Sequence, residues 1–220
     1  MKDLVIVGVG GHGRELLQCV VAINACEPRW NVLGFVDDNT TLRHVGDLPV
    51  LGTTAWLQDR NCNVVVAIGA PATRKRVVTA IEVMGISSFA TLIHPSAQIG
   101  GAVAVGEGSM ICAGAVLTTD IAVGKHVIVN TATVVSHDCH LADFTTLAPR
   151  VCLCGAVRVE EGSDLGAACT LLPSVRVGAW SIVGAGATVI ANVAANETVV
   201  GAPARTICIR AAGWQDNNDK

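Results

Sequence analysis

Counted in sixes from Ile93 to Ala195, the chain reads Ile, Ile, Val, Ile, Leu, Val, Val, Val, Leu, Leu, Leu, Val, Leu, Leu, Val, Val, Val, Ala, so 17 of 18 positions are branched aliphatics. Four residues after each comes a mostly small or β-branched one, such as Ser109, Ala115, Thr133, Cys139, Val151, Ser163 and Cys169. The residue just after the aliphatic is Gly at 100, 106, 124, 166, 178 and 184 and Asn at 130 and 196, which suits a turn with unusual dihedrals. A helix repeats its buried face about every 3.6 residues and a strand about every 2, so neither yields a fixed six. A triangular solenoid does. Each side takes one hexapeptide and points one aliphatic inward, three sides close a coil, and eighteen hexads stack into about six coils with one shared core. Such a core needs few large rings, and aromatics are 3% of the chain against 51% hydrophobic residues.

Ahead of this array, residues 1 to about 88 alternate strand and helix. Leu4 to Val7, Val32 to Val36 and Val64 to Ile68 read as buried strands. Arg14 to Ala25 reads as a helix, as does Thr73 to Met84, with Pro71 near its start and Gly85 at its end. Unbroken apolar strands between helices indicate a parallel sheet covered on both faces. The expected architecture is a small α/β Rossmann-like domain over residues 1–90, a parallel β-helix over 91–200, and a closing turn and tail over 201–220.

The 15 basic and 18 acidic residues are spread along the chain, for a net charge of -3, so no basic stripe of the kind nucleic acid requires is formed. The apolar run at the start breaks at Gly8, and no apolar stretch approaches the ~20 residues of a membrane span, so a cytoplasmic protein without membrane insertion is expected. Nine cysteines, an odd number matching no disulfide framework, read as small buried hydrophobes in a reducing compartment.

The most polar part of the array runs from Asn130 to His140. Val135 and Cys139 take the two inward phases, which leaves His137 and Asp138 at or near the surface. Residues 18 apart stack on one edge of the prism, so His137 should neighbour Gly155. An imidazole that takes a proton beside a main-chain N–H that meets an oxyanion is what acyl transfer from a thioester needs. Asp138 would hold the ring's tautomer or stabilise the imidazolium. An ordinary surface-turn histidine fits the same residues. A metal site from His137, Asp138, Cys139 and His140 fits poorly, because adjacent solenoid residues diverge and Cys139 faces inward, so no metal is expected. His94 and His126 lack such company and read as surface residues.

In the first domain, Gly8-Val9-Gly10-Gly11-His12-Gly13 follows a strand and opens a helix, the context of a phosphate-binding loop. Asp37 and Asp38 end the second strand, where carboxylates accept from a ribose or a base. The domain is too short for both mononucleotide halves, so nucleotide recognition without NAD is expected; a plain glycine turn with solvated acids is the alternative. His12 is placed to touch a ligand, or to project toward the His137 edge. The turn Val200-Gly201-Ala202-Pro203-Ala204-Arg205 either ends the solenoid or brings Arg205 to a phosphate, and Trp214 to Lys220 reads as a frayed tail.

Together the Gly8 to Gly13 loop, Gly34-Phe35-Val36-Asp37-Asp38, Ala67-Ile68-Gly69 with Arg74, Asn130 to Cys139, and Gly201-Ala202-Pro203-Ala204-Arg205 resemble the bacterial hexapeptide-repeat acetyltransferases of nucleotide-linked amino sugars. The sialic acid O-acetyltransferases are similar, and the resemblance covers nearly the whole chain. It implies a left-handed β-helix and a homotrimer with sites in clefts between neighbouring solenoids. Acetyl-CoA would be the acyl donor, lying toward the C-terminal coils against Gly155, Gly184, Gly201, Pro203, Ala204 and Arg205. Gly10, Gly11, His12, Gly13, Asp37, Asp38, Gly69 and Arg74 would hold the nucleotide-linked amino sugar. His137 would be the base, Asp138 its partner and the Gly155 amide the donor to the thioester carbonyl, with Asn130 and His12 placing substrate or water.

The implied reaction is direct N-acetylation of a 4-amino-4,6-dideoxy sugar on UDP, dTDP or GDP. O-acetylation of sialic acid or a similar sugar, and a non-catalytic scaffold, are the rivals. The chain departs from the family at Thr146, where many members carry a second histidine, at Ala142 and Arg150, which replace turn glycines, and at Cys154, where serine is common.

Overall fold

The computed structural model describes residues 1–39 and 41–216. Its first domain consists of β1 (Lys2–Val7), α1 (Gly11–Cys26), β2 (Trp30–Val36), β3 (His44–Val45), β4 (Leu48–Gly52), β5 (Asn63–Val66) and α2 (Pro71–Val83). The sheet runs β3-β4-β2-β1-β5, parallel throughout except for the β3–β4 hairpin. Because strand side chains alternate, Leu4 and Ile6 pack under α1 with Leu16 and Val20, while Val5 and Val7 pack under α2 with Val78 and Ile81. The hairpin and a 3-10 turn at Thr54–Leu57 were not expected. They are edge elements with half-buried residues, and Pro49 within β4 masks the strand pattern. Both helices begin earlier than the sequence pattern suggests. Glycines open α1, and Pro71 sits at the start of α2, where its missing N–H costs nothing.

From Leu92 the chain winds into a left-handed triangular prism. Side one carries strands from Leu92–Ile93 to Ile182–Val183, side two from Gln98–Ile99 to Thr188–Val189, and side three from Val103–Val105 to Arg176–Val177. Partners lie 18 residues apart, as in Val134 with Cys152 and His140 with Arg158. The aliphatic phase from Ile111 to Val189 and the small phase from Ser109 to Ala187 are buried. Polar residues survive in the small slot by donating to the next coil, as Ser109 Oγ does to the Gly124 carbonyl (2.8 Å), Ser163 Oγ to that of Gly178 (2.9 Å) and Cys139 Sγ to that of Cys154 (3.2 Å).

Two details differ from the sequence pattern. The left-handed backbone conformation lies three residues after the aliphatic, at Ala132, Asp138, Phe144, Arg150 and Ala156 among others, and not one residue after it. The glycines one residue after are required by close approach instead, since a Cβ on Gly100 would collide with the carbonyl of Thr118 and one on Gly166 with the backbone at Ala185. Arg150 in place of a turn glycine therefore sits where most turns already tolerate a side chain. The repeat also ends early. The last winding is two residues short, so that Val177 pairs with Val193 and Val183 with Val199, and Ala195 is exposed. Trp214–Asp216 forms a 3-10 turn, and the rest of the tail expected to fray lies outside the described residues.

The domains share a core. Leu92, Met110 and Ile128 project from side one into the α1 cluster of Leu16, Cys19, Val20 and Ile23. Arg74 was expected among the substrate contacts, but it is fully buried. Its Nε donates to the His126 carbonyl (2.9 Å) and its Nη1 to those of Ile68 (2.6 Å) and Gly69 (2.8 Å). Nη2 donates to the carbonyls of Phe144 (2.6 Å) and Thr145 (3.3 Å) and to Thr146 Oγ1 (2.9 Å). With every nitrogen of the guanidinium so committed, no donor remains for a ligand, and Arg74 is the bolt between the domains. Thr146 completes it by donating to the Gly69 carbonyl (2.8 Å), which accounts for the departure there.

His126 is likewise not a surface residue. It is 3% exposed, edge-on to Phe89 and stacked on Phe144, and burial beside Arg74 lowers its pKa to about 4. Cys19, Cys62, Cys112, Cys139 and Cys169 are buried as expected, Cys152 and Cys154 are half-buried, and Cys26 and Cys208 are exposed.

Arg74→Met should take a donor from each of six oxygens, leaving the Gly69 carbonyl only its bond from Thr146 and the Thr145 carbonyl only its bond from Ile128, and lower the melting temperature by about 10 °C, as loss of one partner of a buried charged network costs roughly 3–5 kcal/mol. His126 binds its proton more weakly in the folded chain than in the unfolded one. Stability should therefore be complete above pH 6.5 and fall as pH drops toward 4, and thermal melts of His126→Gln should show a shallower fall over that window.

Candidate active site

The corner between sides two and three brings together three of the expected catalytic residues. His137 and Asp138 follow the Val134–Val135 strand there, and Gly155 follows Cys152–Leu153 one coil on. The alignment is pinned by the backbone, because the Ala156 N–H donates to the His137 carbonyl (2.8 Å) and the Ser174 N–H to that of Gly155 (2.9 Å). A Cβ on Gly155 would stand 2.5 Å from Cε1 and 2.6 Å from Nε2 of His137, so the imidazole lies directly over the glycine. His137 Nδ1 is 2.7 Å from Asp138 Oδ2, and both side chains are 62% exposed. Asp138 reaches Nδ1 because its backbone is left-handed, with φ of 60°. A carboxylate at Nδ1 favours the tautomer that carries its proton there, which would leave the Nε2 lone pair facing outward. Among the described residues the Gly155 N–H has no acceptor, and the missing side chain leaves it open beside Nε2.

Along this corner the residues stacked beyond Ser136 are Cys154, Leu172 and Ile190. Leu172 is 39% exposed and Ile190 50%, so an apolar strip leads from the histidine toward the C-terminal coils. No sequence reasoning singled it out, although the 18-residue offset would have found it. Cys139 packs in the core, and burial raises its thiol pKa, as it does for Cys152, so neither is an activated nucleophile.

The remaining candidates lie elsewhere. Asn130 and Gly184 occupy the corner between sides one and two; the Asn130 side chain accepts from the Thr131 N–H (2.7 Å). Gly201 and Ala204 bond back to Thr188 and seal the last coil around the cis Ala202–Pro203 peptide, with Arg205 exposed beside them. His12 stands in the first turn of α1, which lies on side one, and the corner between sides two and three is opposite that side. Of the two placements expected for His12, projection toward the His137 edge does not occur within one chain. Its Nε2 is buried with no partner among the described residues, its Nδ1 faces Glu15 (3.4 Å), and burial lowers its pKa.

At the C-terminal ends of β1, β2 and β5 a cavity of about 400 Å³ is lined by Gly8, Asp37, Asp38, Thr54, Ile68 and Arg76, among others. Asp37 accepts from the Val9 N–H (3.0 Å) and so supports the glycine loop, while a Cβ on Gly10 or Gly11 would meet only open space. The open helix start and the cavity beside it suit a phosphate and a nucleoside. Gly69 and Arg74 do not line it. Thr54 and Arg76 do, unforeseen, since nothing in the sequence marked the Thr54–Leu57 turn or that face of α2.

This edge, with an imidazole over an open amide on a left-handed β-helix, defines a hexapeptide-repeat acyltransferase. The PglD N-terminal domain family matches residues 3–81. The GDP-perosamine N-acetyltransferase of Escherichia coli O157:H7 is 30% identical over 172 residues, 76% of each chain. PerB from Caulobacter crescentus, solved in complex with CoA and GDP-perosamine, is 31% identical with a TM-score of 0.86, over 94% of this chain and 98% of that one. The acetyltransferase domain of PglB from Neisseria gonorrhoeae FA1090, solved with acetyl coenzyme A, is 30% identical with a TM-score of 0.83, over 94% and 99%. The chain belongs to the hexapeptide-repeat nucleotide-sugar N-acetyltransferases. Among the described residues no helix is long and apolar enough to cross a membrane.

Gly155→Ala should push the imidazole off its perch and lower kcat at least tenfold. The backbone there is not left-handed and the edge is exposed, so the melting temperature should move by less than about 2 °C.

Proposed function

We propose that the chain transfers the acetyl group of acetyl-CoA to the 4-amino group of a GDP-linked 4-amino-4,6-dideoxy sugar, in one displacement and without an acyl-enzyme. The observation that carries this is the His137 ring lying over Gly155. The amine attacks the thioester carbonyl, and the Gly155 N–H donates to the oxyanion that forms. The ammonium of the tetrahedral intermediate gives its proton to Nε2 of His137, with Asp138 stabilising the imidazolium. The C–S bond then breaks, and the departing CoA thiolate takes up that proton. The strip of Leu172 and Ile190 suits the pantetheine arm, with Gly184, Gly201, Pro203, Ala204 and Arg205 toward the nucleotide end of CoA. GDP is favoured because both relatives named for a nucleotide sugar act on or bind a GDP-linked one.

The acceptor is held at the glycine loop, by Gly10, Gly11, His12 and Gly13 with Asp37 and Asp38, on the side of the prism away from the same chain's His137. The reading therefore requires a second copy to bring its own His137 corner to the domain, as in a homotrimer whose clefts also gather Asn130. Thiol release from acetyl-CoA should occur with a GDP-linked 4-amino sugar, and His137→Ala should reduce kcat at least 100-fold while leaving GDP binding unchanged. Turnover on free sialic acid alone would replace this reading with O-acetylation, and no turnover on any acceptor would leave a scaffold.

A further inference from the structure

The nucleotide cavity has two walls of opposite character. One is the end of β2, where Asp38 is clamped by Thr54: Oδ1 accepts the Thr54 N–H (2.6 Å), and the Thr54 hydroxyl lies 2.9 Å from Oδ1 and 3.0 Å from Oδ2. The clamp fixes the carboxylate and leaves lone pairs on both oxygens. The other wall is α2, which contributes Thr73, Val77 and Arg76. Arg76 is exposed and has no hydrogen-bond or ion-pair partner among the described residues, unlike Arg74 one half-turn earlier and Lys75, which pairs with Glu161 at 2.7 Å. Ile68 and Val77 offer flat apolar contact between the two walls.

The start of α1 does not itself line this cavity, but the loop from Gly8 joins the two and gives a bound nucleotide its direction. The diphosphate belongs at the open start of α1. Asp37, tied to Val9 within the loop, stands next along and suits the ribose, which leaves Asp38 and Arg76 for the base. Guanine carries two adjacent donors, N1–H and the 2-amino group, on one edge and two adjacent acceptors, O6 and N7, on another. A carboxylate matches the first edge and a guanidinium the second, each through two hydrogen bonds. Uracil and thymine have one N–H between two carbonyls and can satisfy neither fork.

Resting on the GDP-sugar reading above, we propose that Arg76 and Asp38 select the nucleotide by reading guanine, Arg76 donating to O6 and N7 and Asp38 accepting from N1–H and the 2-amino group. Calorimetry with GDP, UDP, 7-deaza-GDP (no N7 acceptor) and inosine diphosphate (no 2-amino group) tests each contact on the unaltered protein. The dissociation constant should rise about tenfold from GDP to 7-deaza-GDP and by a similar factor to inosine diphosphate. Arg76→Met should bind GDP and 7-deaza-GDP alike, and Asp38→Asn should bind GDP and inosine diphosphate alike. If Arg76→Met weakened GDP and UDP by one common factor, Arg76 would be a phosphate contact and the proposal would be wrong. It would also be wrong if the unaltered protein bound all three purine nucleotides equally, even while acetylating a GDP-linked sugar. Turnover restricted to UDP- or dTDP-linked sugars would overturn the GDP reading itself.

Discussion

One repeated hydrogen bond holds the arrangement together. At the corners from Asp120 to Gly186 a residue in the left-handed conformation donates its N–H to the carbonyl nineteen residues earlier, as Asp138 does to Thr119, Ala156 to His137 and Ser174 to Gly155. Most of these residues are not glycine, so each turn costs about 1 kcal/mol in backbone strain, which the bond and the buried aliphatic beside it offset. The bond fixes the coil length, and the coil length decides which side chains face one another. His137 lies over Gly155 for this reason, and Leu172 and Ile190 line up along the same corner.

Much of this was legible in the chain. Register follows from a six-residue period alone, so the inward phases of Val135 and Cys139 and the pairing of residues 137 and 155 could be derived before any coordinates. What escaped depends on contacts between distant segments. Arg74 and Gly69 entered as ligand contacts through the family resemblance, yet the bonds that commit them include a carbonyl and a hydroxyl of the solenoid some seventy residues away. His126 looked solvated for want of polar neighbours, but the rings that bury it, Phe89 and Phe144, come from other segments. The glycines after each aliphatic were visible and their cause was not, since close approach to the next coil leaves no trace in a single hexapeptide. The lone Ala195 among branched residues did mark the place where the winding shortens.

Domain docking has a consequence for catalysis. By burying Leu92, Met110 and Ile128 under α1 and locking Arg74 into the first side of the prism, the fold commits the glycine loop to one flank and the histidine to the opposite corner. A rigid solenoid has no hinge to bring them together. Under the proposed function each chain therefore supplies half of two different sites, and an isolated chain would hold a nucleotide and an imidazole that never meet.

Mixing two disabled chains tests this most directly. One carries His137→Ala; the other carries Gly11→Trp, whose side chain would fill the open space at the start of α1 where the diphosphate is proposed to lie. Each alone should be inactive. If the sites form between copies, unfolding and reassembling an equal mixture should restore about a quarter of the unaltered turnover, since half of the sites draw an intact histidine and half of those an intact loop from its neighbour. Turnover that stays at zero after reassembly would contradict a site built from two chains.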